Sequence, residues 1–274
     1  MILPPLEINA HKYSRGVVAL AVGSASFPGA AVLAVGGARR GGAGYVGHVS
    51  ADLLTRSLVL QQFPDVVSDV NTEGPLWQRA DALVVGCGLN PHDESARALV
   101  QTALRTDAVL VLDGGALALV AAEGSLRNSV RARAGITIIT PHAGEAAELG
   151  WSPSDDRRTG AEALARELNA VVVLKGAGTV VAAPHCETKI DVLGGAELAT
   201  AGTGDVLAGL IGSLCAARHV PDIASAAAAA FDAVRVHSTA GRLAAARITP
   251  VTAVDVLESL PAAVRALDQQ ESER

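Results

Sequence analysis

The stretch "ATAGTGDVLAGLIGSL", Ala199 to Leu214, places Gly202, Thr203, Gly204 and one carboxylate, Asp205, directly ahead of Val206, Leu207, Leu210, Ile211 and Leu214 at helical spacing. Glycine has no Cβ to keep backbone N–H groups away from a ligand, and a helix start carries partial positive charge and unsatisfied donors. This segment therefore has the chemistry of an anion site. A carboxylate beside a bound phosphoryl group is repelled unless it acts as base for the hydroxyl that attacks phosphorus. From this segment alone, helix capping or a first-turn acid favoured by the dipole is the plainer account of Asp205.

A second glycine loop lies in "VVVLKGAGTVVA", Val171 to Ala182, where a Lys-Gly-Ala-Gly-Thr turn joins two apolar strands. Lys175 at a strand end offers a flexible point charge to phosphate, and Gly176 and Gly178 allow a tight turn under a nucleotide. An ordinary hairpin with an exposed lysine is the alternative. Neither loop is a Walker A or a GxGxxG motif, and the near miss "GSASFPGAA", Gly23 to Ala31, lacks a suitably placed lysine.

Other residues carry chemistry with a plain structural reading beside it. In "TPHAGE", His142 is a substrate hydrogen-bonding group or part of a capped helix start with Glu145. The two lie one turn apart, but no third residue completes a zinc set. Cys87, ahead of "GL", is an exposed nucleophile or a small buried thiol. Asp113 follows a buried strand, where it orients a ligand or caps a turn, and stays outside the catalytic set. Arg39 and Arg40 in "GGARRGGAG" read as helix termination and surface charge ahead of phosphate binding. The polar "WSPSDDRR", Trp151 to Arg158, reads as an exposed loop running into an acid-rich helix start.

These groups need a scaffold, and the chain can build one. Its 274 residues suffice for a full α/β core, read as a single domain spanning 1–274. Half the residues are hydrophobic, yet no run reaches the roughly 18 apolar residues of a membrane span. The N-terminus lacks a basic stretch followed by an apolar run, so the expected location is the cytoplasm. Three widely spaced cysteines, Cys87, Cys186 and Cys215, form no disulfide framework. A net charge of -6 with 3% aromatics argues against nucleic-acid binding.

Short, nearly all-apolar segments alternate with alanine-rich helical patterns, the rhythm of a largely parallel sheet. Strands are expected at 16–22, 82–85, 108–112, 135–139, 170–174 and 180–182, and helices at 29–40, 93–105, 143–149, 155–168, 204–217, 223–245 and 252–267. The closing "DQQESER" reads as a solvated tail.

Taken together and in order, "HKYSRG…AVGSASFPGAAVLAVGGARRGGAG", "GCGL", "TPHAGEAAEL", "VVVLKGAGTVVA" and "ATAGTGDVLAGLIG" resemble the ADP/ATP-dependent NAD(P)H-hydrate dehydratase family, from about His11 to the C-terminal helices. The resemblance implies a ribokinase-like three-layer α/β/α sandwich with a largely parallel central sheet. It implies an enzyme that returns the S-form of hydrated NADH or NADPH to the reduced cofactor with Mg²⁺ and ADP or ATP. By the same match, Lys175, Gly176, Ala177, Gly178, Thr179 and Gly204 contact the adenine nucleotide. Gly202, Thr203 and Gly204 form the anion hole with Asp205 as base, and Ala30 or Ala31, Gly88 and His142 line the hydrate site with Asp205. A homotetramer and a functional link to a separate epimerase are also implied.

The chain departs from the family pattern in having Cys87 and Ala143 where proline is common, Gly114 where alanine follows the aspartate, and a shortened "LGGAELATAG" before the anion loop. A kinase of a small alcohol, such as a hydroxymethylpyrimidine or hydroxyethylthiazole, would use the same loop and base and stop at the phosphate ester. A catalytically silent nucleotide-binding protein is the third reading, against which both Asp205 and Lys175 count.

Overall fold

A computed structural model describes residues 1–152 and 156–272. The strands are β1 (Val17–Ala21), β2 (Tyr45–Val49), β3 (Val67–Asp69), β4 (Ala82–Val85), β5 (Val109–Leu112), β6 (Thr137–Ile139), β7 (Val171–Leu174), β8 (Thr179–Ala182) and β9 (Lys189–Asp191). They form one sheet in the order β3-β2-β1-β4-β5-β6-β7-β8-β9. Every pairing from β3 to β7 is parallel, and β8 and β9 are antiparallel additions.

The alternation of side chains sends each strand's residues into two cores. Val18, Leu20, Val84 and Val111 face one core with helices α1 (Pro28–Ala38), α9 (Thr203–Ala217), α10 (Ile223–Ala245) and α11 (Ala253–Ser272). Val17, Ala19, Leu83 and Leu110 face the other with α4 (Glu94–Leu104), α5 (Gly115–Ala122), α6 (Gly124–Ala132), α7 (Ala143–Glu148) and α8 (Arg157–Leu168). Two helical layers around a mostly parallel sheet make the expected α/β/α sandwich. Helices α2 (Leu53–Gln62) and α3 (Pro75–Gln78) sit over the β2–β3 end.

All six expected strands and seven expected helices are present with small shifts at their ends, while β2, β3, β9, α2, α3, α5 and α6 are additional. β2 hides its signal because "YVGHV" contains Gly47, whose missing Cβ makes room for the Leu76 side chain, and His48, a buried ring hydrogen-bonded to the Val22 carbonyl. α5, "GALALVAA", is apolar around its whole circumference and shows no helical period. The expected helix start at Asp155 and the middle of the "WSPSDDRR" loop lie outside the described residues.

The closing segment departs from the expected solvated tail. α11 continues to Ser272, and Asp268 and Glu271 receive hydrogen bonds from the Ile2 N–H at 2.6 Å and the Met1 ammonium at 2.7 Å. No described helix is long and apolar enough to cross a membrane.

Helix α9 begins at the Gly202–Gly204 loop, and its depth is set by glycine. From Val206 to Ala217 every residue is buried, with α9 packed on the sheet and against its neighbour α1. A Cβ on Gly209 would overlap the Ala34 carbonyl, and one on Gly37 would overlap the Val206 carbonyl. Gly209→Ala gains about 1 kcal/mol of helix propensity. The forced separation of the two helices outweighs it, so the variant should lose about 1–3 kcal/mol overall. Urea denaturation reads the loss, and a variant as stable as the parent would contradict this packing.

Candidate active site

In a parallel sheet the loops after the strands all emerge at one edge, where ligands bind in open α/β folds. Here those loops bring Cys87 after β4, Asp113 after β5, His142 after β6 and Lys175 after β7 to the start of α9. Gly86 makes the approach of the β4 and β5 loops feasible: its φ is +123°, and a Cβ there would overlap the Asp113 carbonyl.

Asp113 is the hub. It is 3% exposed, and its Oδ1 accepts from Lys175 Nζ at 2.6 Å and from Thr140 Oγ1 at 2.6 Å. Its Oδ2 faces the Cys87 thiol at 3.4 Å. Lys175 is thus a largely buried ammonium committed to Asp113, with Glu145 at 3.9 Å, and the expectation of an exposed, flexible lysine is corrected. Desolvation works against its charge, but Asp113 and then Glu145 prevail and raise its pKa. Burial, opposed by Lys175, raises the Glu145 carboxyl.

Asp205 lies in the first turn of α9, half-buried, close enough to Cys87 and Asp113 that one ligand atom from each of the three falls within 4.8 Å of the others. Burial first, then repulsion from Asp113, pushes its pKa from 3.8 to about 7, while Lys175 pulls it down. Asp205 makes no side-chain cap: the N-cap is Gly202, in the left-handed region at φ +91°. Capping is therefore not what the acid does. Thr203 Oγ1 secures the turn, its single hydroxyl proton shared between the carbonyls of Leu198 and Thr200, and Lys175 Nζ lies 3.2 Å from where a Gly204 Cβ would stand.

The second loop is the expected β7–β8 hairpin, with positive φ at Gly176 and Gly178 and its tip, Gly176 and Ala177, exposed. Thr179 Oγ1 donates to the Gly176 carbonyl. Lys175 N–H donates to the Pro141 carbonyl at 2.8 Å, tying this loop to the one after β6.

His142 is mainly the N-cap of α7. Its Nδ1 accepts from the Glu145 N–H while Glu145 Oε2 accepts from the His142 N–H, a capping box, and the ring is otherwise exposed. The capped helix start is present, with His142 itself as the N-cap. Gly88 packs directly on Ala30, so those two expected hydrate-site residues are adjacent. Ala31 is not available to a ligand: it is wholly buried, closing against Gly23 in the core beneath the loop. Arg39 ends α1 and pairs with Asp65 at 2.8 Å, as its surface reading required. Cys87 is 1% exposed, and burial followed by the two acids pushes its thiol well up, which removes the nucleophile reading.

A cavity of about 500 Å³ opens where the strand order reverses between β1 and β4, lined by Ser24, Ser50, Asp52, Asn71, Asn90 and Asp93 among others. Leu89 and Asn90 connect its wall to the Cys87 loop.

Asp113, read from the sequence as orienting a ligand or capping a turn and kept outside the catalytic set, is the centre of the site. Two other residues at this edge escaped the sequence reading. Arg157 donates to the carbonyls of Leu174 and Lys175, bracing the hairpin from α8, yet sits in a run that reads as polar loop. His237, on α10, is fully buried under the anion loop and hydrogen-bonds the Thr203 backbone; burial lowers its pKa to about 4 and keeps it neutral. Its alanine-rich surroundings gave only a packing signal.

The layered fold and an acid at a glycine-rich helix start at the sheet's carboxyl edge define a ribokinase-like protein. A ribokinase-like superfamily protein from Enterococcus faecalis V583 superposes with a TM-score of 0.84, covering 96% of this chain and 92% of that one at 23% identity. Residues 18–262 match the NAD(P)H-hydrate dehydratase family, and the chain belongs to it. It is 38% identical over 233 residues to the ADP-dependent (S)-NAD(P)H-hydrate dehydratase of Neisseria meningitidis, covering 81% of this chain and 76% of the relative. The bifunctional NAD(P)H-hydrate repair enzyme of Mycobacterium leprae is 37% identical over 244 residues, 89% of this chain and 49% of the relative. The chain thus spans about half the length of the curated relatives it first matches. The ADP/ATP-dependent NAD(P)H-hydrate dehydratase of Bacillus subtilis, co-crystallised with ATP and Mg²⁺, superposes with a TM-score of 0.77 at 28% identity, covering 96% and 94% of the two chains.

Two stability measurements probe this site. Removing the ammonium in Lys175→Met leaves Asp113 buried without its counter-charge, which should cost about 3–5 kcal/mol in chemical denaturation. The raised pKa of Asp205 means the folded chain holds a proton between pH 3.8 and about 7 that the unfolded chain has lost. That contribution is present in full below pH 3.8 and disappears as pH rises through about 7. Asp205→Asn should therefore melt at least about 2 °C above the parent at alkaline pH, with the gap closing in acid. Equal melting temperatures across the range would show that Asp205 is not strained by burial.

Proposed function

We propose that this protein is an ADP- or ATP-dependent (S)-NAD(P)H-hydrate dehydratase, acting on hydrated NADH and NADPH. The observation that carries the reading is Asp205, a carboxyl held by burial near neutral pKa at the mouth of a glycine anion loop, in a chain of this family. A base poised near the working pH is what removal of a hydroxyl proton needs.

The hydrate carries a hydroxyl on C6 of its reduced ring, and hydroxide is a poor leaving group. Asp205 takes the hydroxyl proton as the oxygen attacks the terminal phosphoryl group of ADP or ATP, so an O–P bond forms and AMP or ADP departs. The first-turn amides at Gly202–Gly204, without intrahelical partners, hold the transferred group. The ring nitrogen lone pair then expels phosphate, and loss of a proton from the neighbouring carbon restores the ring double bond.

The exposed Gly176–Ala177 tip and Gly178–Thr179 offer backbone to the adenine nucleotide. Lys175 serves the nucleotide through the field it sets with Asp113. Ala30, Gly88 and the exposed His142 ring border the hydrate. Asp113 Oδ2 would be an oxygen donor of the kind that holds Mg²⁺ together with nucleotide phosphates, and the Cys87 thiol, pushed well up by burial, would not. Held there, the ion would neutralise charge on the phosphates.

The wider reading is a single-domain cytoplasmic homotetramer supplied by a separate epimerase. The bifunctional naming of the longer relatives supports the epimerase link, and light scattering reads the assembly.

The test is recovery of reduced-cofactor absorbance from hydrated NADPH with Mg²⁺ and ADP or ATP. Asp205→Asn should lower kcat by about 10²–10⁴-fold with little change in nucleotide KM. For the parent, kcat/KM should rise with pH through about 7 as Asp205 loses its proton. Near-normal turnover in the variant overturns the base, and a stable phosphate ester of a small alcohol would mark a kinase instead.

A further inference from the structure

Three separate segments each bring one ligand atom to a single point. Cys87 follows β4, Asp113 follows β5 and Asp205 opens α9, and one donor atom from each lies within 4.8 Å of the others. Cys87 Sγ and Asp113 Oδ2 are 3.4 Å apart. Tetrahedral zinc, with Zn–S of about 2.3 Å and Zn–O of about 2.0 Å, holds such a pair about 3.5 Å apart. This edge of the cluster therefore already has the spacing of two coordinated ligands.

Asp113 divides its oxygens in a way that suits a metal. Lys175 and Thr140 both bind Oδ1, leaving Oδ2 turned to the thiol. A cation at the centre breaks neither of these bonds, and the two bonds fix the carboxylate as outer partners fix a ligating group; it replaces only the Cys87 thiol proton that is donated to Oδ2 in the metal-free chain. Asp205 is the half-buried member, so it supplies the way in and leaves a fourth position for water or a phosphate oxygen. Hard Mg²⁺ takes oxygen ligands and leaves the sulfur unused, whereas one sulfur with two carboxylates suits a softer divalent ion.

We propose that Cys87, Asp113 and Asp205 form a site for a thiophilic divalent cation, Zn²⁺, whose occupation ties up Asp205 and inhibits the enzyme. Binding forms one Zn–S and two Zn–O bonds, and the thiol proton leaves to solvent as the sulfur becomes a thiolate. The inhibitory half rests on the dehydratase reading, and the binding half does not.

The full chain is titrated with Co²⁺ in the absence of nucleotide. A near-ultraviolet thiolate-to-cobalt band should saturate at one ion per chain, be bleached by Zn²⁺ and be absent from Cys87→Ser with unaltered circular dichroism; Cys87→Ala replaces that variant where it does not fold. Cys186 and Cys215 remain in both variants, so a band that survives overturns the site, as does its absence from the parent. In the recovery assay at saturating Mg²⁺, each protein is compared with its own zinc-free rate. The half-inhibiting Zn²⁺ concentration should rise at least about tenfold in the variant. A cobalt band with turnover unaffected by Zn²⁺ overturns the inhibition. Failure of the parent to dehydrate any hydrate overturns the proposed activity, while the Co²⁺ titration still reads the site.

Discussion

The Lys175–Asp113 ion pair, 2.6 Å long and largely out of water, is the interaction on which the rest of the site depends. A buried carboxylate beside a second acid is unstable without a counter-charge, and a buried ammonium is equally so. The two solve each other's problem, and Thr140 completes the hydrogen bonding of the same carboxylate oxygen. With Asp113 and Lys175 paired beside it, Asp205 feels two opposed effects: Asp113 raises its pKa and Lys175 lowers it. Burial is the largest cause of its near-neutral pKa, with Asp113 adding to the rise and Lys175 opposing it.

The sheet explains why these groups meet at all. β4, β5, β6 and β7 are parallel neighbours, so their carboxyl ends stand side by side and consecutive loops deliver Cys87, Asp113, His142 and Lys175 to one rim. Helix α9 approaches the same rim from the opposite layer, and its depth follows from glycine contacts with α1. The smallness that lets α9 sink into the core continues into Gly202 and Gly204. The packing of α9 and the open backbone of the loop at its start thus draw on the same sequence property.

Much of this was legible because the physics was local. Short apolar strands buried on both faces, a glycine loop opening a helix, and a hairpin with two positive-φ glycines each announce themselves within a dozen residues. What stayed hidden was set by distant partners. Gly47 and His48 mask β2 because their neighbours, Leu76 and the Val22 carbonyl, come from elsewhere in the chain. Lys175 reads as a free cation until Asp113, 62 residues away, is brought beside it. Ala31 and Ala30 are adjacent and alike in sequence, and only the tertiary packing puts one in the core and the other against Gly88.

Asp205 and His237 illustrate how one physical cause serves opposite ends. Burial raises the acid to about 7 and lowers the imidazole to about 4. In both cases desolvation favours the neutral form. For His237 that neutrality is static: an uncharged ring under the anion loop hydrogen-bonds the Thr203 backbone without adding a second buried cation near Lys175. For Asp205 it is incomplete, because the residue opens on the half-buried side and Lys175 offsets part of the penalty. The anion loop is thereby braced by a group that keeps its charge state and served by one that can change it, a division that follows from depth in the same core rather than from residue type.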